Sequence, residues 1–212
     1  HDLDAWEHTL EVTTRIPPES PLRWAALLHD LGKPSSRTQG PDGNVHFYGH
    51  EAFSCRLAAG LLGRLKASRA LTDRVLALVR HHGQRPSPEW GDAACRRLLA
   101  RLQKDGLPLE AWAALRQADL QGRRVPSEEN LQAFQDSLQR LQRLAEARPA
   151  LSARELALDG QELMALLGRA GGPWLGHLQT HLLERVLEDP ALNAPEVLGP
   201  LAKAWAEEAR GE

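Results

Sequence analysis

A histidine–aspartate pair at the inner end of an apolar helix is the sequence feature that most constrains the fold. The segment AALLHDLGKP (25–34) begins with four apolar residues, continues with His29 and Asp30 side by side, and ends with Gly32 and Lys33 close behind. Burying an imidazole and a carboxylate without partners costs on the order of several kcal/mol. Any fold that buries this helix must therefore bring partners for both groups to the same place.

Helical patterning runs through almost the whole chain of 212 residues, and strand signals are nearly absent. The sequence therefore predicts an all-α protein, with a helical bundle over residues 1–150 and a smaller helical module over residues 151–212. The predicted helices cover residues 4–16, 21–31, 50–66, 70–82, 91–104, 109–121, 128–146, 160–169, 174–188 and 195–209. Only residues 45–48, after the turn-like GPDGN, predict a short extended piece.

Charge and composition exclude several classes of protein. The net charge of -2 excludes a globally basic nucleic-acid-binding protein, so that any such surface must be local. The two cysteines have no metal-binding or redox spacing, and no signal peptide or membrane-spanning run is visible. We therefore expect a cytoplasmic protein with no membrane partner. Because the first residue is His1 and not methionine, we expect a piece of a longer protein, and whether a further domain precedes His1 stays open.

Several ionisable residues fall on the apolar faces of five predicted helices. They are His8, His29, Asp30, His50, His82 and Asp119. Each one alone is most simply a hydrogen-bonded core histidine or a capping aspartate. Together they need a shared partner, and a divalent metal is the simplest one. The pattern predicts one or two ions, with Mn, Ni, Mg, Zn and Fe all compatible with the ligand types.

Asp30 and Lys33 are the predicted catalytic residues. Neighbouring helical side chains point about 100° apart, so His29 and Asp30 face one point only if the helix end is relaxed at Gly32. Asp30 would then bridge two ions, or hold one ion and orient the attacking water. Lys33 suits a substrate phosphate, and its alternative role is to complement the dipole at a helix C-terminus.

Weaker candidates surround this set. Asp4 is an additional ligand or a simple helix N-terminal charge. His46, in a predicted loop, either reaches the substrate or is an ordinary loop histidine. His177 and His181 form an i, i+4 pair without the glutamate of a zincin site, so solvent exposure is the simpler interpretation. Basic residues are candidates for phosphate or RNA contacts, or else belong to a solvated surface: Arg97, Arg101 and Lys104 on one helix face, and Arg123 and Arg124 after Asp119.

The order H…HD…H…HH…D, with HDLGKP, resembles the HD-domain metal-dependent phosphohydrolases. The resemblance is closer to the HD region that follows the catalytic head in bacterial tRNA nucleotidyltransferases (CCA-adding enzymes) and poly(A) polymerases. It rests on HDLDAWEHTLEV, LRWAALLHDLGKP, HFYGHEA, LVRHHG and ALRQADLQGR, and on LALDGQELMALLGRAGGPWLGHL in the tail. The nucleotidyltransferase head is absent, and DLD at residues 2–4 lacks the strand and the glycine-serine turn of that head.

The resemblance implies metal ligands at His8, His29, Asp30, His50, one or both of His81 and His82, and Asp119. It also implies a phosphate contact at Lys33 and hydrolysis of 2′,3′-cyclic phosphodiesters, 2′-nucleotides or other phosphomonoesters, with a nucleotide or an RNA 3′ end as substrate. Arg123 is the further candidate for substrate binding. Two alternatives stay open: a tRNA-binding module with a vestigial HD site, supported by Arg97, Arg101 and Lys104, and a general nucleotide phosphohydrolase.

Overall fold

The computed structural model describes residues 5–18, 20–41, 43–123 and 125–209, and these residues confirm the all-α fold. Asp4, Arg124 and the DLD segment lie outside the described residues. The helices are α1 (Ala5–Thr14), α2 (Ser20–Leu28), α3 (Lys33–Ser36), α4 (His50–Arg64), α5 (Arg69–His81), α6 (Asp92–Lys104), α7 (Leu109–Gln121), α8 (Glu128–Glu146), α9 (Gly160–Leu167), α10 (Pro173–Glu188) and α11 (Pro195–Glu208). Two short strands, β1 (Thr38–Gln39) and β2 (Val45–His46), pair antiparallel. Single 3-10 turns lie at Ala153–Glu155 and Pro190–Leu192.

The second predicted helix ends earlier than expected. Helix α2 stops at Leu28, and residues 29–32 form turns before the short helix α3, which has Pro34 in its first turn. A proline there needs no amide hydrogen bond and favours a new helix start. His29 and Asp30 therefore lie in the turn and not inside the helix, and Lys33 opens a helix, so it does not complement a helix C-terminus.

The first compact unit consists of the described residues of His1–Pro88 and Asp105–Gln139. Helix α5 is central in this unit and packs against α2, α4 and α7. The fully buried core side chains include Leu28, Leu62, Leu78, Trp112 and Leu115. Helix α1 packs against α2 and α7, so that α1, α2, α4, α5 and α7 form one packed group.

Two glycines set how closely these helices approach. A β-carbon on Gly32 would overlap the carbonyl oxygen of His50 and lie 2.5 Å from the backbone nitrogen of Ser54, and one on Gly122 would lie 2.6 Å from Val12 Cγ2. The backbone of Gly32 has ordinary helical angles, φ -80 and ψ -12. Gly32 is therefore needed for the close approach of the turn to α4. The predicted relaxation of the helix end is not its role.

The second compact unit consists of the described residues of Glu89–Lys104 and Arg140–Glu212. This grouping differs from the predicted division at residue 150, because α6 packs against α10. The buried guanidinium of Arg96 on α6 donates to the carbonyl oxygens of Leu187 and Glu188, each at 2.6 Å. The core of this unit contains Leu156, Leu163, Leu178, Leu182, Val186, Leu198 and Ala202. Among the described helices, none combines the length and the apolar character that crossing a membrane requires.

The packing at Gly32 predicts a large stability difference between two glycine-to-alanine substitutions. Gly32→Ala forces a β-carbon into the backbone of α4 and should lower the free energy of unfolding by about 3 kcal/mol. Gly60→Ala, inside α4 with no neighbour within 4 Å of the added carbon, should raise it by about 0.5–1 kcal/mol through helix propensity. Urea unfolding in EDTA measures both. A Gly32→Ala protein as stable as the wild type would contradict the close approach.

Candidate metal centre

Five helices of the first unit deliver the six predicted ligands to one point. His8 lies on α1, and Asp119 lies near the end of α7. His29 and Asp30 occupy the turn after α2, while His50 begins α4 and His82 follows the last residue of α5. The structure therefore brings all six residues together.

Asp30 lies between two pairs of histidines. Its Oδ2 atom is 3.2 Å from His29 Nε2 and 3.8 Å from His8 Nε2. Its Oδ1 atom is 3.4 Å from His50 Nε2 and 3.5 Å from His82 Nε2. Two possible ligand groups follow, His8–His29–Asp30 and Asp30–His50–His82, with the ligand atoms of each group within 4.8 Å of one another. Asp30 is shared by both groups.

Asp119 lies beside the two histidines of the first of these groups. Its Oδ1 atom is 3.1 Å from His8 Nε2 and 3.8 Å from His29 Nε2. Its Oδ2 atom accepts a hydrogen bond from Arg116, one turn earlier on α7. That hydrogen bond fixes the carboxylate and leaves Oδ1 directed at the histidines.

The four imidazoles share one orientation. In each ring Nδ1 faces a backbone carbonyl: Gly122 at 3.1 Å from His8, Ala26 at 2.7 Å from His29, Phe47 at 2.9 Å from His50, and Val79 at 2.7 Å from His82. A carbonyl oxygen only accepts, so Nδ1 carries the hydrogen and Nε2 of the neutral ring presents its lone pair to the centre. This is the tautomer that a metal-binding histidine requires.

Within the described residues, the centre contains polar atoms that no protein group satisfies. His29 Nε2 is buried without a hydrogen-bond partner, whereas Asp30 Oδ2, also buried, is paired with the Lys33 ammonium. The Nε2 atoms of His50 and His82 lie only 3.1 Å apart, although both are acceptors in the neutral rings. Two nitrogens that bind one ion at right angles, each about 2.1 Å from it, would be separated by roughly this distance. The donor set therefore fits a divalent cation.

Electrostatics favour the same cation. Burial opposes ionisation of Asp30 and Asp119, but pairing with His29 and with His8, respectively, outweighs it and holds the pKa of each carboxyl well below its usual range. Burial lowers the pKa of His82. Burial also opposes the charging of His29 and His50, yet the Asp30 carboxylate raises the pKa of both. The centre therefore holds two ionised carboxylates, whose negative charge favours either protonation of the neighbouring histidines or binding of a metal ion.

A cleft of about 390 Å³ opens onto this centre. Lys33 lies at its base, with Nζ 2.5 Å from Asp30 Oδ2 and 5.9 Å from the centre of the Phe47 ring. Tyr48 forms part of the wall, is 74% exposed, and stacks on His46 with ring centres 5.0 Å apart. His46, predicted as a loop histidine, therefore lines the cleft.

Three arginines also line the cleft: Arg85, Arg116 and Arg123. Burial lowers the pKa of Arg116, the Asp119 carboxylate opposes this, and the positive charges of Arg85 and Arg123 add to the lowering. The guanidinium group of Arg116 is therefore close enough to those of Arg85 and Arg123 to be repelled by both. Arg123 was predicted from the sequence, but Arg85 and Arg116 were not. The one available signal was a charged residue at position 116, one turn before Asp119 on an apolar helix face.

Other candidates lie away from the centre. His81 binds Asp105 at 2.8 Å, and its carbonyl accepts from Trp112, so His82 is the histidine that faces the cluster. His177 and His181 are exposed on α10 in the second unit.

The basic face predicted on α6 is weaker than the sequence suggested. Arg97 forms ion pairs with Glu184 at 2.9 Å and Glu188 at 2.8 Å, and these carboxylates neutralise its charge. Arg101 and Lys104 are exposed on the same helix. The sequence could not show this pairing, because the partners lie on α10, more than 80 residues along the chain.

Residues 5–141 match the model of the HD domain family, and the chain belongs to that family. It is 35% identical to the A-adding tRNA nucleotidyltransferase of Deinococcus radiodurans over 100% of this chain and 49% of that protein. It is also 36% identical to the CC-adding tRNA nucleotidyltransferase of Thermus thermophilus over 89% of this chain and 42% of that protein. The chain thus spans about half the length of these curated relatives. No solved structure gives a significant match.

The two adjacent histidines after α5 give a matched test of metal binding. Adding Mn²⁺ or Ni²⁺ to EDTA-treated protein at about 100 times the Kd should stabilise it by about 2.7 kcal/mol, a rise in Tm of about 5–10 °C. His82→Ala should lose most of this rise because it removes a ligand. His81→Ala should lower the starting Tm but keep the rise, because His81 binds Asp105 instead. Equal rises in both variants would contradict the assignment of His82.

Metal affinity should also depend on pH. The raised pKa values of His29 and His50 mean that both rings bind protons more readily than free histidine, and a metal must displace those protons. Affinity should therefore fall as the pH decreases from 8 to 6. Calorimetry in two buffers of different ionisation enthalpy measures the affinity and the released protons together. Binding that is independent of pH, without proton release, would contradict this ligand set.

Proposed function

We propose that this chain is a metal-dependent phosphohydrolase that acts on nucleotides or RNA ends, of the 2′,3′-cyclic phosphodiesterase, nucleotidase or phosphatase type. The observation that carries the proposal is the shared carboxylate of Asp30 at the base of a cleft lined by Lys33 and arginines. An ester of phosphoric acid presents negatively charged oxygens that suit a cationic cleft. The tRNA-directed activity in the names of the relatives makes RNA ends the first substrates to test.

His8, His29, Asp30 and Asp119 would hold one ion, and His50 and His82 would hold a second ion together with Asp30. A bound ion supplies Lewis acidity toward phosphoryl oxygens and lowers the pKa of water. In the reaction, a water oxygen forms a bond to phosphorus while the bond from phosphorus to the ester oxygen breaks. The attacking water releases one proton and the departing oxygen takes up one proton, so that no net proton is lost from the two reacting oxygens.

In this scheme, side chains of the protein orient the attacking water and neutralise the negative charge of the phosphoryl group. Asp30 would bridge two ions, or would hold one ion and accept a hydrogen bond from the attacking water. Lys33, now paired with Asp30, donates to a phosphoryl oxygen as negative charge develops in the transition state. Arg123 binds another oxygen of the substrate from the cleft wall.

Replacing each carboxylate by an uncharged amide of the same shape, and the Lys33 ammonium by an apolar side chain, tests these roles. Asp30→Asn and Asp119→Asn should each lower kcat for 2′,3′-cyclic nucleotides and 2′- or 3′-nucleotides at least 100-fold in Mn²⁺, Ni²⁺ or Mg²⁺. Lys33→Met should lower kcat/KM by about 10- to 100-fold through lost charge stabilisation.

The matched control is Asp136→Asn, which changes an exposed carboxylate on α8 that accepts a hydrogen bond from Gln132, its one side-chain partner among the described residues. Its kcat should equal that of the wild type. Full activity in Asp30→Asn, or a wild-type chain that is inactive with every metal and substrate, would overturn the proposal.

A second function is a tRNA-binding module with a vestigial metal site. It is favoured by the similarity to the Deinococcus relative, which covers the whole chain and therefore extends beyond the HD match to residues 142–212. In that case salt-dependent tRNA binding should survive Asp30→Asn and weaken on removal of charge at Lys104, which is exposed on α6. Arg97→Gln should matter less, since Arg97 is already paired with Glu184 and Glu188.

A further inference from the structure

A second cleft of about 240 Å³ lies beside the metal cleft in the first unit, and we call it the side cleft. Both clefts are lined by Arg85, Arg116 and Arg123. The arginines therefore form a common wall between the metal centre and the side cleft. A ligand that occupied both clefts, with its phosphate at the metal centre, would therefore pass beside these three cations.

The common wall carries more positive charge than the neighbouring carboxylates neutralise. Arg116 is 5% exposed; one of its nitrogens binds Asp119, and its Nε atom is buried without a hydrogen-bond partner among the described residues. Neither Arg85 nor Arg123 forms an ion pair within the part of the chain that the structure describes. A buried guanidinium with an unused N–H indicates that an acceptor completes this wall, and a phosphate oxygen has the required charge.

The remaining walls of the side cleft have a different chemistry. Pro86, Leu120 and Phe134 give it apolar surfaces, and the Asn130 side chain is exposed at its edge. An inorganic phosphate or pyrophosphate gains nothing from apolar walls. A nucleobase does, because it has apolar faces and a rim of hydrogen-bonding atoms that an amide recognises in both directions.

We propose that the side cleft binds the nucleobase of the nucleotide whose phosphate lies at the metal centre, with the three arginines on the phosphate between them. This inference rests on the proposed function and names its substrate class: a nucleotide or RNA terminus, recognised through its base as well as its phosphate. Asn130 and the apolar walls then determine base preference, while Arg85, Arg116 and Arg123 bind any phosphate.

Equilibrium binding tests this without requiring turnover. The full chain, loaded with Mn²⁺, is titrated by calorimetry with hydrolysis-resistant phosphonate analogues of adenosine 3′-monophosphate and cytidine 3′-monophosphate, and with inorganic phosphate. At least one nucleotide should bind at least 10-fold more tightly than phosphate. Equal affinities for phosphate and for both nucleotides would overturn the inference, and would leave the proposed hydrolase activity to be judged by its own assay.

Substitutions on α8 then locate the base. Ala133→Phe fills the side cleft from a position that lines it and should remove the nucleotide advantage while phosphate affinity stays unchanged. Asn130→Leu, at an exposed position that a folded chain tolerates, should change the ratio of adenosine to cytidine affinity at least threefold. Gln132→Phe, exposed on the same helix and outside the lining, is the matched control and should behave like the wild type.

One further variant separates the side cleft from the other exposed aromatic surface. Tyr48→Ala removes the ring that stacks on His46 in the metal cleft. The inference predicts that the nucleotide advantage survives Tyr48→Ala and is lost in Ala133→Phe. The opposite result, loss in Tyr48→Ala and retention in Ala133→Phe, would place the base on Tyr48 and overturn the inference.

Discussion

The buried carboxylate of Asp30 is the interaction on which the rest of this structure depends. It lies at the meeting point of four imidazoles and the Lys33 ammonium, and its side chain is only 3% exposed. A carboxylate buried to this degree is tolerated only where cations or donors surround it. Five helix ends therefore have to converge on Asp30, and the convergence of these helices is the fold of the first unit.

The fold prepares the ligands before any ion binds. Each of the four histidines is fixed by a backbone carbonyl at Nδ1, so the ring tautomer and direction are set by main-chain geometry. Gly32 lets the turn that carries His29 and Asp30 lie directly against the start of α4, where His50 begins the helix. Preorganisation of this kind means that metal binding would require little rearrangement.

Much of this could be predicted from the sequence, because helical periodicity and inward-facing polar residues are local signals. They were enough for the helices, for the six residues that meet at the centre, and for the position of Lys33 beside it. What the sequence did not reveal depends on contacts between distant positions. The unused N–H of Arg116, the packing of α6 on α10 and the neutralised charge of Arg97 all require knowing which helices are neighbours. The sequence singled out Gly32, but the role of this glycine is steric, because a larger residue would clash with the backbone of α4.

The central claim is that one or two divalent ions bind at this centre and that the Asp30 carboxylate is a ligand of each of them. Anomalous diffraction at the Mn or Ni absorption edge, on crystals of the metal-loaded chain, tests it most directly. The account predicts a peak bounded by Asp30, His50 and His82, or by Asp30, His8 and His29, or one at each place, with the Asp30 carboxylate as a ligand in every case. Metal peaks found only elsewhere, such as at the exposed His177 and His181, with none beside Asp30, would contradict it.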